Sequence, residues 1–123
     1  MLFRSTLQFI FDINAALHTL HRILKPGGVV LATCHGIGQY AKDDLERWGE
    51  YWRFTRQSAG RLYRDIFGEQ RVEVEGHGNV LAAVAFLEGL AAEELTPREL
   101  DHHDPNYEVL ITVRARKAWE RHP

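Results

Sequence analysis

His35 is the residue best placed to do chemistry. It follows Val29-Val30-Leu31-Ala32-Thr33-Cys34, an apolar run without alternation, as expected of an inner strand of an α/β sheet covered on both faces. Ligands of open α/β sheets bind at the carboxyl ends of the strands, so an imidazole there can serve as general base toward an acceptor hydroxyl or amine. A turn histidine that only hydrogen-bonds backbone is the plainer alternative. Downstream, Trp48, Tyr51, Trp52 and Phe54 can wall an acceptor pocket over that strand end, with Arg53 set to meet an anionic substrate group, or they can plug the core. Trp48 and Trp52 fall one helical turn apart.

Other constellations carry less. Gly36-x-Gly38-x-x-Ala41 after a strand matches the relaxed dinucleotide fingerprint. That fingerprint opens an apolar helix, whereas Lys42-Asp43-Asp44-Leu45-Glu46-Arg47 is polar, so a flexible turn leaving the sheet is the better reading. His18 with His21, and His102-His103-Asp104, lack the repeated ligand spacing of a zinc motif, and no metal site is expected. Cys34, the single cysteine, shows no local sign of activation and reads as structural, in a reducing, cytoplasmic setting.

The elements that must position these residues can be read from spacing. Asp12 caps a helix with Ile13, Ala16, Leu17, Leu20 and Leu24 on one face, and Lys25-Pro26-Gly27-Gly28 ends it. A second amphipathic helix begins near Thr55, buries Ala59, Leu62, Tyr63, Ile66 and Phe67, and stops at Gly68. Arg71 to Glu75 alternates as a half-exposed strand near a sheet edge. Val80 to Leu90 reads as a helix apolar on nearly every side, which predicts burial. Thr96-Pro97-Arg98-Glu99 is a capping box, and the last strand runs from about Tyr107 to Arg116.

Composition bounds the class. The chain has 123 residues, 45% hydrophobic and 26% charged, which fits one globular domain. Fifteen basic and 17 acidic side chains are mixed along it for a formal charge of -2, so no nucleic-acid partner is expected. The apolar run from Val80 to Leu87 is far shorter than the ~20 residues of a membrane span, and Met1 to Phe11 lacks a small-residue cleavage site. No membrane partner is expected.

Arg22-Ile23-Leu24-Lys25-Pro26-Gly27-Gly28-Val29 resembles the R-x-L-K-P-G-G-hydrophobic pattern of class I S-adenosylmethionine-dependent methyltransferases. The segments Trp48 to Thr55, Gly78 to Ala82 and Asp104-Pro105-x-Tyr107 are similar to a small-molecule subgroup of that family. The resemblance implies an α/β fold: the C-terminal half of a Rossmann-like methyltransferase, a small three-stranded mixed sheet with one antiparallel strand inserted between two others, and helices on its faces. It also implies S-adenosyl-L-methionine as cofactor, with Thr6, Leu7 and Gln8, just after the family's fourth strand, on the cofactor side. The glycine-rich loop and the acidic residue with which the family holds the donor have no counterparts in this sequence.

The resemblance therefore implies the acceptor-side half of a small-molecule methyltransferase, inactive as an isolated chain. Two alternatives stay open: a binding or assembly module that completes a partner chain or pairs with itself, and a truncated gene product. The strand that would flank Val29 to Cys34 in the family is absent. Either Leu2 to Phe9 folds back as a surrogate neighbour, or two copies meet at that edge and also bury the helix from Val80 to Leu90. The second repair predicts a homo-oligomer.

Overall fold

The structure, a computed structural model, describes residues 1–119. Four strands form one sheet in the order β1-β2-β4-β3: β1 (Leu2–Arg4), β2 (Val29–His35), β3 (Val72–His77) and β4 (Leu110–Arg116). β1 runs parallel to β2, with Phe3 opposite Ala32, and β4 lies antiparallel between β2 and β3. The inserted antiparallel strand thus stands where the family resemblance implies. The sheet has four strands instead of three because the N-terminal segment supplies the neighbour that β2 lacked. Its amino group donates to the Val29 carbonyl at 2.7 Å, which fixes the register of a strand only three residues long.

Two long helices carry the core. In α1 (Ile13–Ile23) the Asp12 carboxylate accepts from the Ala15 amide, and Leu17 and Leu20 point inward. In α3 (Arg56–Phe67) Thr55 and Ser58 cap each other reciprocally, an arrangement worth about 1 kcal/mol. Ala59, Tyr63 and Phe67 of α3 pack with Leu17, Leu20 and Leu24 against Val30, Ala32 and Cys34 of β2 and Ile111, Val113 and Ala115 of β4.

Burial of β2 on both faces does not occur. Its even-numbered residues are buried, whereas Leu31 is 49% exposed among Leu2, Thr33, Thr112 and Arg114. Val, Leu and Thr suit any strand, so an unbroken apolar run reports strand propensity as well as two-sided cover. The last strand starts three residues later than its pattern suggests, because residues 104–107 turn: the Tyr107 amide donates to the Asp104 carbonyl at 3.0 Å.

The apolar helix also departs from expectation. α4 (Val80–Leu87) is not buried: Ala83 and Ala85 face inward, and Val80, Val84 and Leu87 stand about half exposed. It lies beyond the end of β3 against the short α5 (Pro97–Asp101), away from the sheet's core, so only its small side chains find cover. Among the described residues no helix is long and apolar enough to cross a membrane.

Candidate functional site

β2 ends at His35, and the chain leaves it through residues 36–41 into α2 (Lys42–Arg47). Trp48 closes that helix, and Gly49 reverses the chain at φ +85°, a left-handed conformation that glycine adopts without strain. Trp48 and Trp52 therefore do not share a helix face. Residues 50–55 are neither helix nor strand and are tied at both sides. The Tyr51 amide donates to the Gln8 carbonyl at 2.7 Å, and the Phe54 amide donates to the His35 carbonyl at 2.9 Å. Phe54 is buried as the plug of this segment. These bonds bring the turn at residues 7–9, the end of β2 and the aromatic segment together, although 27 and 19 positions separate Gln8, His35 and Phe54 in sequence.

A cleft of about 350 Å³ opens at this junction, lined by Ser5, Gln8, His35, Tyr40, Glu50 and Arg53 among others. Glu50 and Arg53 form an ion pair at 3.3 Å, with the Glu50 side chain only 4% exposed. The Arg53 guanidinium also donates to the Gln39 carbonyl at 2.7 Å and lies over the Tyr40 ring, 5.7 Å from its centroid. Arg53 is thus engaged through both terminal nitrogens and ties the loop above the cleft. Burial pushes the His35 pKa below its usual value, the Arg53 charge pushes it further, and Glu50 opposes both. His35 is accordingly neutral at pH 7, the form that accepts a proton. Ser5, at φ +43°, is a strained residue on the rim of this cleft.

Three polar atoms here have no partner among the described residues: Gln8 Oε1, Glu50 Oε2 and Arg53 Nε. Gln8 as a residue is 3% exposed. Such atoms are uncommon in folded proteins, and their concentration at one cleft marks it.

The aromatic candidates divide. Trp52, 37% exposed, donates from its indole nitrogen to the Ile10 carbonyl at 3.1 Å and stacks on Phe11 at 5.5 Å. It lines a second cleft of about 630 Å³ with Phe11, Ile13, Phe54 and Leu62, on the other side of Arg53. Tyr51 meets Phe11 edge-on at 5.3 Å and lines neither cleft. Trp48 stands 65% exposed and lines neither. A hollow of about 720 Å³ beside α4 and α5 is larger; Glu99, Asp101, His102 and Asp104 line it, just beyond the end of β3. Glu50 and Tyr40 are not among the candidates the sequence offers. The acidic residue inside Trp48-Gly49-Glu50-Tyr51-Trp52 was the signal available for Glu50.

Among the cofactor candidates, Leu7 is buried in the core at 1% exposure, and the Thr6 hydroxyl donates to the Arg4 carbonyl at 2.7 Å. Only Gln8 reaches a cleft. These positions supply a hydroxyl and an amide but no carboxylate for the ribose of a nucleoside donor. Among the described residues no group of three or more His, Cys, Asp or Glu side chains is placed to hold a metal ion.

No protein-family model matches the sequence, and no curated protein does either. Among solved structures the chain is similar to Haemonchus contortus phosphoethanolamine N-methyltransferase 2 in complex with phosphomonomethylethanolamine and S-adenosylhomocysteine. Identity is 19% and the TM-score 0.53 over 95% of this chain. The same enzyme in complex with S-adenosyl-L-methionine matches at 16% identity and a TM-score of 0.52. The chain spans 32% of the length of each. The fold is methyltransferase-like, α/β with a small mixed sheet.

Proposed function

We propose that this chain is the acceptor-side portion of an S-adenosylmethionine-dependent methyltransferase for a small molecule, with the His35 cleft as the acceptor site. The observation that carries the reading is the placement of His35 at the carboxyl end of β2, in one cleft with Arg53 and the buried carboxylate of Glu50, in a methyltransferase-like fold. In this role His35 removes the proton from the acceptor's nucleophilic atom, and Glu50 steadies the imidazolium that forms. Arg53 holds the loop at residues 36–41 over the cleft. The donor's seat belongs to residues outside this chain, since Thr6, Leu7 and Gln8 do not complete one. The Haemonchus enzyme is described with a phosphorylated amine. Arg53 is already paired, so a different acceptor is proposed for this chain. A reducing, cytoplasmic setting suits the single buried thiol.

Labelled-methyl incorporation into a small-molecule extract tests the reading, for the chain alone and for the chain co-expressed with one that carries a glycine-rich donor loop. Incorporation is expected only in the second case, and His35→Gln should lower it by ~10²-fold or more. Incorporation that ignores His35→Gln removes the base. Equilibrium dialysis with labelled donor should find no saturable binding by the lone chain at micromolar concentration.

The exposed apolar side of α4 favours a second reading, an assembly module that pairs with itself or completes a partner. Sedimentation equilibrium over a tenfold concentration range checks it, and a monomer throughout rejects the self-association.

A further inference from the structure

From the inventory of unpartnered atoms in the His35 cleft we infer that its ligand is a neutral compound with vicinal hydroxyls, such as a sugar or cyclitol. Gln8 Oε1 and Glu50 Oε2 each lack a donor, and Arg53 Nε lacks an acceptor. Two neighbouring hydroxyls match that inventory: each donates its proton to one of the two oxygens, and one of them accepts from the guanidinium. A primary ammonium supplies donors and no acceptor, and it would add an unbalanced charge to an ion pair that is already neutral. A phosphate or carboxylate would face two oxygens with no proton to offer them. The walls agree with a sugar ring, since Phe9, Tyr40 and Phe86 give apolar surface for its C–H face.

The three atoms have almost no exposed surface, so binding of the diol requires the loop at residues 36–41 to move aside. That loop is tied by Arg53 to the Gln39 carbonyl and carries Gly36 and Gly38. Binding of the diol stands on these atoms alone; its identification as the methyl acceptor rests on the function proposed above.

The test is a ¹⁵N–¹H and imidazole NMR titration of the full chain, without methyl donor, with methyl glycosides of glucose, galactose and mannose and with myo-inositol. Ethanolamine, O-phosphoethanolamine and S-adenosylhomocysteine are the contrasting probes. The expected result is a saturable shift of the Gln8 side-chain amide, the Gly38 and Tyr40 amides and the His35 ring with at least one polyol. The matching deoxy analogue should bind at least tenfold more weakly, as should the polyol with Gln8→Met, whose unchanged remaining spectrum reports a folded protein. Absence of a saturable shift with every polyol up to ~50 mM overturns the inference. So does tighter binding at these residues by either amine, or by S-adenosylhomocysteine, whose own ribose diol would mark a donor seat. Because no transfer is measured, polyol binding without methyl incorporation refutes only the methyltransferase reading.

Discussion

Replacing Tyr63 with phenylalanine should make the protein more stable. Tyr63 sits on α3 with no exposed surface, packed against Phe67 at 6.0 Å between ring centroids, and its hydroxyl has no hydrogen-bond partner. Burial pushes its pKa well above the ordinary phenol value, and the nearby Cys34 adds to the shift. An unpaired hydroxyl taken out of water costs roughly 1–3 kcal/mol. Tyr63→Phe removes that cost. It leaves a void about the size of one oxygen atom, which at ~24 cal/mol per Å³ returns only about 0.5 kcal/mol. The net expectation is a gain of about 1–2 kcal/mol, read as a higher urea midpoint at constant slope and a thermal midpoint raised by ~3–5 °C per kcal/mol. A loss of more than ~0.5 kcal/mol would refute the reasoning, because it would mean that the hydroxyl has a partner, such as an enclosed water, that the variant strands.

The Cys34 thiol, pushed by burial from 9.0 up to about 11, stays protonated in the fold where the unfolded chain ionises. Its contribution is therefore full below pH 9 and is lost as pH rises through 11, a fall of roughly 3 kcal/mol at most; in a Tyr63→Phe background, Cys34→Ala should flatten that slope in urea titrations. His35 has the opposite sign: its folded pKa is lowered by burial and then by Arg53, so its contribution is present above pH 6.5 and is lost as pH falls through the folded value. An imidazole NMR midpoint at or above 6.5 would contradict this, and Glu50→Gln should lower the midpoint further. Gly76→Ala should cost ~1–3 kcal/mol, because a Cβ there runs into the Glu108 carboxylate, which bonds Arg56 and His103 at 2.8 Å each. In a Glu108→Ala background the same change should cost much less, so a cycle without coupling would reject this account.

Local patterns carried most of the backbone. The Asp12, Thr55 and Thr96 caps each satisfy an amide three residues on, so type and spacing alone announce them. The period-2 and period-3.6 patterns likewise located β3, β4, α1 and α3 to within a few residues, and Lys25-Pro26-Gly27-Gly28 marked the turn into β2. His35 could be placed at the strand's carboxyl end for the same reason: its position depends only on where the apolar run stops.

Whatever depends on who covers whom was decided by the tertiary structure. An apolar run does not say how many faces will be covered, and so β2 is bare on one side and α4 exposes the side chains whose burial its composition predicts. The pairing of Leu2–Arg4 with β2 is a contact across 29 positions, set by hydrogen bonds to which sequence periodicity is blind. The site followed the same logic. Trp48, Tyr51, Trp52 and Arg53 were visible by type, but the reversal at Gly49 and the bonds from residues 51 and 54 to Gln8 and His35 chose which of them face a cleft. Glu50 is drawn out of solvent and set against Arg53 because the reversal at Gly49 and the anchor at Tyr51 fix the backbone on both sides of it.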